Sequence, residues 1–247
     1  MSPKYLAELN RLPRLEQLGD GIRSFAATAI AARVGSHPIF LIDEPEAFLH
    51  PPQAARLGQV LGSLIAQQRR QAVVATHSAD FVRGALLGST EVAICRLERK
   101  GELNNASLLD ADQVRQLWSS PLLRSSQAIT GMFHEGVVVC EADADARFYE
   151  GILASVENRF SRPVDLYFVH GGGKGALASL ARAYRQLEIP TVVIADLDLL
   201  KNEPEYFAVY AALGGTFADI QALYRSTASA LAKSRPPLLP KTDPARL

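Results

Sequence analysis

Four carboxylates, Glu141, Asp145, Asp196 and Asp198, stand at the ends of two apolar runs, in the segments GVVVCEADAD and TVVIADLDL. Val137-Val138-Val139-Cys140 and Val192-Val193-Ile194-Ala195 have the continuous hydrophobicity of buried parallel strands. A buried strand has no reason to finish on a charge unless that charge has a use there. Alternate residues of an extended chain point the same way, which places Asp196 and Asp198 on one face. Carboxylates gathered at one sheet edge repel one another. A hard divalent cation, Mg2+ or Mn2+, relieves that repulsion through oxygen ligands and suits phosphate-bearing substrates. Solvated loop acids account for either segment alone; the two together read as a metal site. Ions held roughly 3.5–4 Å apart would stabilise the attacking and leaving oxygens of a phosphodiester, with Glu141 best suited to double as general base. Lys174, in the glycine-rich turn Gly171-Gly172-Gly173-Lys174-Gly175, is the candidate nucleic-acid contact, although a solvated turn lysine fits equally well.

The order of these motifs carries a resemblance. Glu141 and Asp145 at a first strand–helix corner, then Asp196-x-Asp198 at a later strand end, resemble the Toprim domain of topoisomerases, primases and certain nucleases. Leu166-Tyr167-Phe168-Val169-His170 and the glycine-rich turn resemble its intervening unit. The resemblance implies Asp145 rather than Asp143 as the ligand, which leaves Asp143 to cap the following helix. Ala142 stands where Toprim domains usually carry Gly. The resemblance also implies a basic residue far downstream of the Asp-x-Asp strand; no residue here matches it clearly, and Lys241 is not assigned to that role.

The first half holds a second set of acids. Pro38-Ile39-Phe40-Leu41-Ile42 runs into Asp43-Glu44-Pro45-Glu46, and Ala72-Val73-Val74-Ala75 runs into Thr76-His77-Ser78. Upstream, Leu18-Gly19-Asp20-Gly21 opens a helical run whose N-terminus suits a phosphate. The trio resembles ABC-type ATPases of the SMC kind and, more closely, the ATPase half of OLD (overcoming lysogenization defect) family nucleases. That resemblance implies Asp43 and Glu44 as the Walker B pair, the first holding Mg2+ through water and the second polarising the attacking water. It implies His77 as the switch histidine, Asp20 and Gly21 as the signature loop acting across a dimer, and residues 47–51 as the D-loop. No G-x-x-x-x-G-K-[ST] occurs in the 247 residues. Gly171-Gly172-Gly173-Lys174 lacks the following Ser or Thr and comes after the Asp43-Glu44 strand. ATP is therefore expected as a cofactor only together with a P-loop, and the chain reads as the rear part of a longer protein.

The elements that must hold these residues follow from periodicity. The pattern predicts helices over 20–34 and 53–68, strands over 38–43 and 72–76, and a short helix from Ser78. A hairpin follows, with a polar turn from Glu98 to Asn105, then helical and connecting chain over 110–133. Strand and helix next alternate at 136–141, 144–157, 164–169, 174–187, 191–196 and 204–213, the signature of βαβ units around a parallel sheet. A final helix over 216–232 gives way to a Pro-rich exit. The expected fold class is α/β: a parallel-sheet ABC-type ATPase portion over 1–133, a Toprim core over 134–215, and a C-terminal helix and tail over 216–247. Cys95 and Cys140, both in strand-like runs, read as small core residues rather than a disulfide framework.

Composition narrows the function classes. Lys+Arg and Asp+Glu are 26 each, so net charge argues neither for nor against nucleic acid. No apolar stretch approaches the ~18–20 residues of a membrane helix, and the N-terminus lacks a signal-peptide core, so the reading is a cytoplasmic protein without a membrane partner. The resemblance to OLD family nucleases implies an ATP-regulated, divalent-metal-dependent DNA endonuclease acting as a homodimer, and is compatible with either phage defence or DNA repair. The rival is a non-catalytic, ATPase-linked DNA-binding or scaffold module. Topoisomerase chemistry would need a tyrosine on a DNA-gate domain and primase chemistry nucleotide-binding parts; neither is found.

Overall fold

The computed structural model of the chain describes residues 11–119 and 126–233. The Pro-rich exit and Lys241 lie outside the described residues. The first half is built on helix α1 (Asp20–Val34), strand β1 (Ile39–Asp43), helix α2 (Pro51–Gln67), strand β2 (Gln71–Ala75) and helix α3 (Ala79–Gly88). β1 and β2 pair in parallel from Ile39↔Gln71 to Asp43↔Ala75, so both chains turn at the same sheet edge. α2 starts on Pro51 and Pro52, whose fixed φ and missing N–H suit a first helical turn. Its buried residues Ala54, Leu57, Gly58 and Leu61 recur at helical spacing and meet α3. The two helices touch backbone to backbone. A Cβ on Gly58 would lie 2.2 Å from the Phe81 carbonyl oxygen, and one on Gly84 would lie 1.9 Å from that of Ala55.

Strands β3 (Ile94–Lys100) and β4 (Leu103–Leu109) form the antiparallel hairpin. The expected polar turn from Glu98 to Asn105 is corrected: those two residues are ladder partners, and the reversal is confined to Gly101 and Glu102, with Gly101 at φ 63°. A glycine able to take left-handed φ closes the hairpin in two residues, which extends both strands. Cys95 is likewise corrected, because it is exposed on β3, whereas Cys140 is buried and both thiols are free. Short helices α4 (Ala111–Trp118) and α5 (Ser126–Thr130) lead to the second parallel sheet.

That sheet has the order β6 (Leu166–His170), β5 (Gly136–Cys140), β7 (Thr191–Ile194). The chain leaves β5 for one neighbour through α6 (Asp143–Val156) and reaches the other through α7 (Lys174–Gln186). A central strand where the order reverses opens a crevice at its carboxyl end. β5 is buried at every residue, as expected of a strand covered on both faces. α7 places Leu177, Leu180, Ala181 and Tyr184 on its buried face while Arg182 and Arg185 stay exposed. Full burial of an aliphatic side chain such as Leu177 or Leu180 stabilises the fold by about 1.5–3 kcal/mol. The Tyr184 hydroxyl donates to the Ala128 carbonyl at 2.8 Å, fastening α7 to α5. One apolar cluster unites Leu86, Leu109 and Val114 with Val137, Val139 and Val169, so the hairpin packs on the core of the second sheet. Helices α8 (Glu203–Ala212) and α9 (Phe217–Lys233) close the described chain. Among the described residues no helix is long and apolar enough to cross a membrane.

Candidate metal centre

β5 ends at Cys140 and β7 at Ile194, and those two residues are paired, so Glu141 and the Ala195-Asp196 step emerge side by side. The Asp196 N–H reaches Glu141 Oε2 at 3.4 Å. The shared strand face expected for Asp196 and Asp198 is not how they meet, since β7 has already ended. Asp196 instead caps a 3-10 turn over Leu197–Lys201, where the Leu199 N–H donates to its carbonyl at 3.0 Å. That turn carries Asp198 beside Asp196, and ligand oxygens of Glu141, Asp196 and Asp198 all lie within 4.8 Å of one another.

The glycine-rich turn is braced on the same strand end. Gly171 N–H donates to the Cys140 carbonyl at 3.3 Å and Gly173 N–H to the Glu141 carbonyl at 3.0 Å. Gly172 and Gly173 take φ of 69° and 133°, values that side chains resist. This bend aims Lys174, the first residue of α7, at the acids, where its Nζ is ion-paired to Asp198 Oδ2. The hydrogen bond to Asp198, aided by the charges of Asp198, Glu141 and Glu205, holds the Lys174 ammonium above the ordinary lysine range despite desolvation.

Asp145 stands outside this trio. Its Oδ2 accepts the Ala142 N–H at 3.1 Å and so performs the helix capping expected of Asp143. Asp143 pairs with Arg147 at 2.9 Å and faces His170 Nε2 at 3.6 Å. Burial, with the Asp145 charge adding to it, pushes the Cys140 thiol up to about 11, so it remains protonated beside the acids. The donor set suits a hard divalent cation: three carboxylates converge, and Asp198 Oδ1 is buried without a hydrogen-bond partner.

In the first half, Asp43 ends β1 and the Glu44 N–H donates to the Ala75 carbonyl at 2.9 Å. Glu44 Oε1 and His77 Nδ1 come within 3.4 Å, so these two predicted residues do meet. The residue that organises them is Glu46, which was not among the predicted site residues. It is 6% exposed, and its Oε1 accepts from the Thr76 hydroxyl at 2.5 Å and the His77 N–H at 3.3 Å. Its Oε2 is buried without a partner. The signal was present in the string Asp43-Glu44-Pro45-Glu46 followed by a polar Thr76-His77-Ser78. Asp20 pairs with Arg23, and Gly21 lets α1 approach the Phe48 carbonyl oxygen, from which an added Cβ would be 2.4 Å away.

Residues 132–198 match the family described as "Overcoming lysogenization defect protein-like, TOPRIM domain". Residues 11–83 match an AAA domain family whose description names the AbiEii toxin of a type IV TA system. The Old nuclease of Escherichia phage P2 is 24% identical over 173 residues, 68% of this chain. The chain spans 29% of the length of that curated relative. The mixed α/β architecture with two parallel sheets is consistent with an ATPase-like portion followed by a Toprim βαβ fold.

Proposed function

We propose that this chain, which carries an OLD-like TOPRIM domain behind an AAA-type ATPase-like segment, hydrolyses DNA phosphodiesters as a divalent-metal-dependent endonuclease regulated by ATP in the whole protein. The observation that carries this reading is the convergence of Glu141, Asp196 and Asp198 at the carboxyl end of the central strand of that domain. These three would hold Mg2+ or Mn2+, with Asp145, in the first turn of α6, as a fourth carboxylate. The cation, when bound, would neutralise charge building on the phosphoryl oxygens. Glu141 is the group set to take a proton from the attacking water. Lys174 and the backbone N–H groups at the start of α7 offer positive charge to a DNA phosphate. Asp43, Glu44 and His77 would serve the nucleotide site, completed by a P-loop and by Asp20 and Gly21 of a second subunit in a homodimer.

The test is nicking of supercoiled plasmid in Mg2+ or Mn2+ beside an Asp196→Ala/Asp198→Ala variant. Nicking is expected in the parent chain and falls at least about a hundredfold in the variant. A plasmid left intact while calorimetry detects Mn2+ would favour the second reading, a binding module that does not cut. That reading draws on Asp145 being engaged as a helix cap.

A further inference from the structure

We propose that Lys174 is a built-in counter-ion that a divalent cation must displace from Asp198, so that loading the acid cluster and freeing the Lys174 ammonium are one event. The inference rests on the metal reading of the trio and adds a control to it. Three carboxylates within 4.8 Å of one another cannot stay unneutralised without cost, and here one ammonium is paired with one of them, Asp198. The ammonium is held in place by architecture. Gly172 and Gly173 adopt backbone conformations open to glycine, and the Gly173 N–H is fixed to the carbonyl of Glu141 itself.

The Lys174 side chain is 23% exposed, against 46% for Asp198, so the lysine lies over the carboxylate rather than trailing into water. Asp198 Oδ2 is the oxygen it covers, while Oδ1 is buried and unpartnered. A cation that takes Asp198 into its ligand set would bring two like charges within contact distance. The monovalent, flexibly tethered one leaves. Metal binding thereby delivers an ammonium to the face where a phosphate of the substrate would lie.

The experiment measures Mn2+ affinity of the full chain by calorimetry, with Lys174→Met, Lys174→Arg and Glu141→Gln, and thermal melting confirms that each variant folds. Lys174→Met is expected to bind Mn2+ about tenfold tighter, because the competing charge is gone. Lys174→Arg is expected to stay within about threefold of the parent. A second readout is acylation of lysines followed by mass spectrometry: Mn2+ should raise the reactivity of Lys174 and leave Lys201 unchanged. Parent binding that Glu141→Gln abolishes, with Lys174→Met equal or weaker, would overturn the counter-ion and leave the metal site standing. Unchanged Lys174 reactivity on Mn2+ addition overturns it as well. Absence of Mn2+ binding in both parent and Lys174→Met would defeat the metal reading and this inference together.

Discussion

The two parallel sheets of this molecule hold acids at the same kind of edge but support them differently. β5 is buried at every residue between two partner strands, and its acids project from the carboxyl edge of that three-stranded platform. β1 and β2 form a two-stranded sheet with one face on α2 and α3, while Leu41 is 80% exposed and Val73 64% exposed on the other. Parallel strands ordinarily have both faces covered, and two strands alone make a weak scaffold. The contrast shows two ways to position charge. In the second half, sheet depth and a braced glycine turn set the geometry. In the first half a single buried carboxylate, Glu46, ties one strand end to the other.

The comparison is sharpened most by removing apolar bulk from each sheet. Leu177→Ala empties a fully buried position of α7 against the second sheet and is expected to cost about 2–5 kcal/mol. Leu41→Ala on the uncovered face of β1 is expected to change stability by less than about 0.5 kcal/mol. Urea unfolding followed by circular dichroism checks both. Equal losses would mean that the face of β1 is covered in solution, and the contrast between the sheets would fail.

A smaller effect is expected at Glu46. Glu46→Ala strands the Thr76 hydroxyl and the His77 N–H and should destabilise by about 1–3 kcal/mol. Glu46→Gln retains an acceptor for both and should cost less than half as much. Thermal melting of the two variants separates hydrogen bonding from packing. A Glu46→Gln loss as large as that of alanine would show that the negative charge itself holds this corner together.

Much of this organisation was legible in the sequence because it is local. The alternation of apolar runs and amphipathic helices from 136 onward matches β5 through α8 to within a few residues, and the acids at the strand ends marked the sheet edge. Three features were not legible, each for a physical reason. The meeting of Asp196 with Asp198 depends on a 3-10 turn over Leu197–Lys201, directly after the span expected as a strand, and not on alternation along that strand. That Asp145 rather than Asp143 accepts the Ala142 N–H is a matter of the helix starting at Asp143. The pairing of Lys174 with Asp198 joins residues 24 positions apart through a glycine bend. Periodicity says nothing about such contacts.

The seam between the two halves gives the subtlest prediction, one in pH. Arg96 of β3 donates to the carbonyls of Met132 and His134 at 3.2 and 3.1 Å, while Asp165 holds His134 Nδ1 at 2.5 Å and the Glu135 N–H at 3.1 Å. This polar knot sits directly before β5 and ties the hairpin to the second sheet. Burial alone would raise the Asp165 carboxyl. The hydrogen bonds from His134 and Glu135, with the charges of His134 and Arg96, outweigh it and bring the group below the ordinary carboxylate range. A carboxyl whose folded pKa lies below its unfolded value, about 4, stabilises the fold above that unfolded value. The contribution is lost as pH falls through the folded value. The difference in melting temperature between the parent and Asp165→Asn should therefore be positive at pH 7 and shrink as the pH falls below the unfolded value of about 4. A difference that grows on acidification would reverse the sign and place the stabilising charge of the seam on a group other than Asp165.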